Sequence, residues 1–229
     1  MLQPKQSLIL PTNLFTMQRP IRWLISFTIL TTTACHPTPK HLPILGQSEI
    51  RKTARKDRIV TDTIYPTVHS FTFLDQDSNK VSSQSLSDKI YVADFIFLSC
   101  PAICPKLTHS MQRVYTQYVD DSRIVLLSHT IDPQHDTIPR LHQYCQKLGL
   151  RSERWHFLTG NQDTIMNLAE HSYYTMAYPD STAPGGFAHG GGLLLVDKNK
   201  HIRGVYSGVD SLEIDRLIQD IHTLLDEEF

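Results

Sequence analysis

Apolar residues along this chain recur with two different periods, and the switching between them lays out a succession of strands and helices. Val68 to Leu74 alternates, with Phe71 and Phe73 on one face, which predicts a half-buried strand. Ile90 to Leu98 is apolar throughout apart from Asp94 and reads as a fully buried strand. From Leu107 to Tyr118 the spacing changes to three and four, through Met111, Val114 and Tyr115, which is the period of an amphipathic helix. Arg123 to Ile131 is a second buried strand. Thr137 to Leu148 is helical and stops at Gly149. Trp155 to Leu158 is a short strand, and Asp163 to His171 a helix. Gly192 to Asp197 and Ile202 to Tyr206 form a hairpin around Lys198-Asn199-Lys200, and Leu212 to Leu225 closes the chain as an amphipathic helix. Helices between early strands and a late hairpin describe an α/β fold with a central mixed β-sheet flanked by helices.

The first 62 residues do not share this pattern. Met17 to Arg22 is short and basic, Trp23 to Leu30 is apolar, and Thr31 to Ala34 is a run of small residues ending at Cys35. That is the layout of an export signal too short to span a bilayer comfortably. A cysteine directly after the small residues resembles a lipoprotein processing site, so residues 1–35 are expected to be a signal ending at a lipidated Cys35. Met17 is an alternative start to Met1. Residues 36–62 carry Pro37, Pro39, Pro43 and the basic run Arg51-Lys52-Thr53-Ala54-Arg55-Lys56 without a sustained hydrophobic period. They read as a flexible tether, with residues 63–229 as the folded domain.

Composition excludes more than it identifies. The chain has 229 residues, 40% hydrophobic, with a formal net charge of −1. It is long enough for one substantial core and offers no global electrostatic case for nucleic acid. Four cysteines in a chain of this size do not make a disulfide-stapled scaffold.

Two of those cysteines carry the chemistry. Cys100-Pro101-Ala102-Ile103-Cys104-Pro105 lies where the buried strand gives way to a helix. Prolines are tolerated in a first helical turn, and the free N–H groups and dipole of that turn favour thiolate. A pair of thiolates there either exchanges disulfides or holds a soft metal ion. A strand, a cysteine pair at a helix start and this order of elements are thioredoxin-like. In such a fold the loop before the late strand faces the cysteines, and here it is Gly185-Gly186-Phe187-Ala188-His189-Gly190-Gly191-Gly192. His189 is therefore a candidate third donor. Two thiolates and an imidazole suit Cu(I), and the imidazole also suits Cu(II). His69, His129, His142, His156, His171, His201 and His222 are read as non-ligands, and Cys145 as a half-buried helix residue.

With these residues in place a family resemblance becomes specific. Phe95 to Pro105 resembles the cysteine signature of the Sco/SenC family. His129-Thr130-Ile131-Asp132-Pro133-Gln134-His135-Asp136-Thr137 resembles its Ile-Asp-Pro-x-x-Asp-Thr segment. Phe157-Leu158-Thr159-Gly160 resembles its Leu-Thr-Gly strand end, and His189 falls where the family has its ligand histidine. The resemblance covers roughly Pro66 to Leu225. It implies one copper ion held by Cys100, Cys104 and His189, with Asp132 near the site. It also implies a membrane-anchored domain facing the periplasm that assists assembly of the binuclear copper centre of cytochrome c oxidase. The expected partners are the copper-accepting subunit of that oxidase or another copper protein, and the membrane through the lipid anchor. The chain departs from the family at Ser99, in the three glycines after His189 and in the loop from Tyr178 to Phe187. The other reading is a thiol–disulfide oxidoreductase of the cell envelope acting on cysteines of a partner. His189 has no needed part in that chemistry, and the pair is not Cys-x-x-Cys.

Overall fold

The computed structural model describes residues 41–55 and 58–229. The expectations for residues 1–35, including lipidation of Cys35, lie outside them. A five-stranded sheet forms the centre, in the order β11-β10-β5-β6-β7. The strands β5 (Ile90–Ile96), β6 (Ile124–Thr130) and β7 (Trp155–Leu158) run parallel. β10 (Gly192–Val196) lies antiparallel to β5, and β11 (Ile202–Ser207) antiparallel to β10. Every residue of β5 and β6 is buried. This is why those segments read as continuous apolar runs and not as alternating ones.

The helices α1 (Cys104–Tyr118), α2 (Ile138–Lys147), α3 (Gln162–His171) and α4 (Ser211–Glu228) flank the sheet, as the mixed-sheet, thioredoxin-like reading requires. Leu107, Met111 and Val114 form the inward stripe of α1 and are fully enclosed. Asn161 caps α3 by accepting from the Thr164 N–H, and Asp210 caps α4 by accepting from the Leu212 N–H. Two-stranded ribbons accompany the sheet: β3 (Thr72–Leu74) with β4 (Lys80–Ser82), and β8 (Ala177–Pro179) with β9 (Phe187–His189). Of the strand expected over 68–74, only the last three residues pair.

The strand expected over 90–98 ends at Ile96, because the next residues turn. The Leu98 N–H donates to the Asp136 carboxylate at 3.0 Å and the Cys100 N–H to the Phe97 carbonyl at 3.2 Å. The helix expected from Leu107 begins at Cys104 instead, with a proline in its first turn.

His129 lies in the aromatic core, away from the cysteine pair. Its ring stacks on Phe95 and meets Phe71, Phe73 and Tyr173 within 6 Å. Burial pushes its pKa down to about 3, so the imidazole is neutral.

The segment 36–62 differs from a structureless tether over its described part. Leu42 is buried, its N–H donating to Glu227 at 2.6 Å. Arg203 holds the same stretch from within the fold. Its guanidinium donates to the carbonyls of Leu42 and Pro43 while pairing with Asp197, Glu227 and Glu228. The Leu45 N–H then donates to Ile202. Beyond it, β1 (Glu49–Arg55) and β2 (Arg58–Ile64) pair antiparallel along their whole length. The ladder pairs the inward-facing backbone groups of each strand, and the outward-facing ones are left to solvent along a ribbon whose described residues are mostly exposed.

Candidate metal centre

The site is built from two pieces of chain brought together at one end of the sheet. Cys100 leaves β5 through the turn pinned by Asp136, and Cys104 opens α1. Ile103, the residue before the helix, provides no side-chain cap. The first-turn N–H groups therefore look for another acceptor, and the Cys100 sulfur lies among them. Burial works against a Cys100 thiolate. The N–H groups of Cys104 and Ala102, the Cys104 thiol and the Ile103 N–H outweigh it and hold the Cys100 pKa below its ordinary 9.0. Cys104 is more enclosed. Burial pushes its thiol well up from 9.0, and the neighbouring Cys100 and Asp94 charges add to the shift. The pair is thus unequal: the Cys100 sulfur ionises more readily than an ordinary thiol, and the Cys104 sulfur is held as a thiol. No disulfide joins them.

The third donor arrives on β9. His189 is its last residue and pairs with Ala177 of β8, so it sits on a short ribbon and not in an open loop. Its Nε2 lies 3.3 Å from Cys104 Sγ and 4.0 Å from Cys100 Sγ. Burial lowers its pKa, which keeps the ring neutral and its lone pair available. The Phe97 ring meets the imidazole edge-on at 5.6 Å. Two glycines allow this approach. A Cβ on Gly190 would fall 2.3 Å from the Thr175 hydroxyl, and one on Gly208 would fall 2.3 Å from Leu107 of α1.

The three donor atoms lie within 4.8 Å of one another, and theirs is the one such grouping among the described residues. Two sulfurs and a neutral imidazole nitrogen, nearly dry, form a soft donor set of low coordination number. Such a set fits copper and does not fit magnesium or calcium. No strand or helix has to move for the donors to face one point.

Asp132 is not joined to this group. It is buried, and its carboxylate accepts from the largely exposed His135 ring at 2.8 Å. The residue that sequence reasoning passed over is Asp136. Its carboxylate accepts from the Leu98 N–H at 3.0 Å and the Thr130 hydroxyl at 2.7 Å, tying the chain just before Ser99 and Cys100 to β6. Its presence in the Ile-Asp-Pro-x-x-Asp-Thr segment was the available signal. Cys145 lies in α2, more enclosed than a half-buried position, and burial raises its thiol to about 11.

Known proteins share this arrangement of elements and motifs. The SCO1 protein homolog of Bacillus subtilis strain 168 is 29% identical over 167 residues, which is 71% of this chain and 84% of that protein. The crystal structure of a SCO1/SenC family lipoprotein from Bacillus anthracis superposes with a TM-score of 0.64 at 25% identity, covering 69% of this chain and 95% of that one. BsSco, described as a member of the Sco family of cytochrome c oxidase assembly proteins with a disulfide switch, superposes at 0.62 with 28% identity, covering 69% and 93%. The sequence profile of the SCO1/SenC family matches residues 61–226, well over half of the chain, and the chain belongs to that family.

Proposed function

We propose that this protein is a copper carrier that holds one copper ion on Cys100, Cys104 and His189. It passes the ion to a copper-accepting protein, in the first place the copper-accepting subunit of cytochrome c oxidase. The observation that carries the reading is the convergence of two sulfurs and one imidazole nitrogen within 4.8 Å. Family membership supports it, as does Bradyrhizobium japonicum ScoI, a relative in fold at 19% identity that was solved with copper bound. The role in oxidase assembly is taken from the family description of BsSco. Bound copper would neutralise the sulfur charge and replace the Cys104 proton. The protein's own part is to hold the donors dry and aimed.

Attachment belongs to the same proposal. No described helix is long and apolar enough to cross a membrane. A lipid on Cys35 would anchor the domain at the outer face of a membrane, in the periplasm of a two-membrane cell. The lipoprotein description of the Bacillus anthracis relative supports this.

The test is copper titration of residues 39–229, which form a compact unit of their own. We expect one copper per chain and its loss in Cys100→Ala and Cys104→Ala. Cu(I) is satisfied by two thiolates, whereas Cu(II) favours added nitrogen. His189→Ala should therefore weaken Cu(II) much more than Cu(I). Stoichiometric copper in both cysteine variants would refute the site.

A second reading, a thiol–disulfide reductase, rests on the unequal sulfurs. A Cys100 whose pKa is lowered, beside a Cys104 whose pKa is raised, is the arrangement of an attacking and a resolving thiol. Reduction of a partner disulfide by the metal-free protein, unaffected in His189→Ala, would favour it.

A further inference from the structure

A cavity of about 460 Å³ opens beside the copper site, and no step of copper binding uses it. One wall is the outer face of α1, with Pro105, Lys106, His109 and Arg113. The facing wall is the turn between β11 and α4, with Gly208 and Val209. Both walls are continuous with the donors. Pro105 follows Cys104 directly in the chain. The Gly208 N–H donates at 2.8 Å to the carbonyl of Gly191, which lies just beyond His189. The buried Ser110 hydroxyl ties the walls together by donating to the Gly208 carbonyl at 2.7 Å. A second cavity adjoins the first along α1, sharing His109 and Arg113 and reaching Gln117. Together they make a groove between α1 and α4. From Pro105 to Gln117 it runs about 18 Å, at a helical rise of about 1.5 Å per residue. That length takes an extended segment of about five residues.

The groove is opposite in charge to the body around it. Residues 59–229 contain 13 basic and 21 acidic residues, a net charge of −8. No acidic residue lines the cavity beside the site, where Lys106 and Arg113 are the permanent charges. Arg113 is held in place by Ser211 and by Asp215, the acid of the adjoining stretch. Lys106 and His109 are exposed, and among the described residues no side chain pairs with either. Two side chains with N–H donors therefore stand free at the end of the groove nearest Cys104. Val209 in the facing wall is 51% exposed, and Leu212, next to the lining Ser211, is 77% exposed. Free donors, one sign of charge and bare aliphatic side chains fit an acidic peptide segment with apolar residues among its carboxylates. The groove attracts such a segment while the acidic remainder of the surface repels it, so its approach is steered to this end of the molecule.

We infer that the groove between α1 and α4 docks an acidic segment of the protein that exchanges copper with Cys100, Cys104 and His189. Carboxylates of that segment lie on Lys106 and His109, which brings its carrier over the donors. The inference rests on the proposed copper transfer for the identity of the partner, whereas the preference of the groove for acidic chain stands on its own lining.

Binding is measured on metal-free, reduced residues 39–229, so that it is read apart from copper. The probes are rhodamine-labelled peptides followed by fluorescence anisotropy, one of glutamates around a central leucine and one with glutamines in their place. The glutamate peptide should bind, the glutamine peptide should not, and added salt should weaken the complex. Lys106→Glu replaces an attraction by a repulsion, each worth up to about fivefold at an exposed site, so a loss of about tenfold is expected. Lys80→Glu, exposed on β4 beyond the opposite, β7 edge of the sheet, changes the net charge equally and should stay within about twofold of the wild type. Val209→Asp puts an acid on the facing wall and should weaken binding as Lys106→Glu does. Copper stoichiometry, unchanged in all three variants, shows the fold intact and keeps failure of the copper reading separate. In the copper-loaded protein, the glutamate peptide extended by a Met-x-x-Met pair should draw Cu(I) faster than its glutamine counterpart. Absence of binding by the glutamate peptide, full binding by Lys106→Glu, or an equal loss in Lys80→Glu would overturn the inference. Equal rates of copper transfer to the two extended peptides would also overturn it. Inorganic phosphate that displaces the glutamate peptide at comparable concentration would overturn it in favour of a small-anion site.

Discussion

Asp94 sits in the middle of a strand whose other members are apolar, and replacing it by asparagine tests how the interior treats charge. The carboxyl lies opposite Ser128 in the β5–β6 ladder and is fully enclosed, and burial raises its pKa from 3.8 to about 7. The folded state therefore keeps a proton that the unfolded chain releases near pH 4. Because the native protein binds more protons between those two values, stability is full below pH 4 and falls as pH rises toward 7. Above pH 7 the whole penalty is present. A difference of about three pKa units, at 1.36 kcal/mol per unit, corresponds to roughly 4 kcal/mol. Asparagine has the size of the neutral acid and does not titrate. Asp94→Asn should thus match the wild type at pH 4 and exceed it by about 2–4 kcal/mol at pH 8. Urea denaturation of metal-free residues 39–229, reduced, at several pH values measures this. Removing the charge should also ease ionisation of Cys104, which Asp94 opposes. Parallel pH profiles for the two proteins, or a less stable variant at pH 8, would refute the account.

Three further outcomes are expected. At pH 8 a limiting amount of iodoacetamide should alkylate Cys100 before Cys104, because the Cys100 pKa is lowered and that of Cys104 raised; peptide mapping that finds Cys104 labelled first would reverse the assignment. Asp136→Ala leaves the Leu98 N–H and the Thr130 hydroxyl without their acceptor, which should cost about 2–3 kcal/mol in denaturant unfolding and weaken copper binding by loosening the turn before Cys100; a variant with unchanged copper affinity would separate the turn from the site. Arg203→Ala removes the guanidinium that Asp197, Glu227 and Glu228 share and the donors to the Leu42 and Pro43 carbonyls, while Asp197 keeps the Asn199 and His201 N–H groups, so a loss of about 3 kcal/mol is expected, together with faster proteolysis before residue 45; intact resistance to protease would show that the segment is held by other contacts.

What could be read from the sequence follows how much each segment is buried. β5 and β6 are enclosed on both faces and announce themselves as apolar runs, and the stripe of α1 is visible because one side packs on the sheet. The described residues of the β1–β2 ribbon are mostly exposed, with only Val60 and Ile64 partly buried, so the segment carries no hydrophobic period. Its order comes from backbone pairing, which the side chains do not record. Cys100, Cys104 and His189 were legible for a different reason: their chemistry is rare and the fold order puts them at one end. Asp132 and Asp136 were both visible as acids in one turn. Only the direction of each side chain, toward His135 in one case and toward the Leu98 N–H in the other, shows which of them holds the cysteine turn.

The unequal sulfurs and the ribbon-held histidine together decide how a cation would enter. Near neutral pH the pair carries at most one negative charge, on Cys100, while Cys104 keeps its proton. A soft cation meeting Cys100 first lowers the cost of ionising Cys104, because positive charge nearby opposes the burial that holds the proton. His189 need not be recruited from solution. It is neutral, paired through β9 to β8 and braced against Phe97, so the nitrogen is already in place when the second proton leaves. Binding should then release between one and two protons per copper near neutral pH, and as pH rises the count should fall by one through Cys100 well before the Cys104 proton is lost. A disulfide reductase has no use for a braced imidazole at 3.3 Å from its enclosed sulfur. Measuring proton release on Cu(I) addition in weakly buffered solution separates the cases. A count that falls from two to zero in a single step as pH rises would mean that Cys100 does not ionise ahead of Cys104, and the order of events would have to start elsewhere.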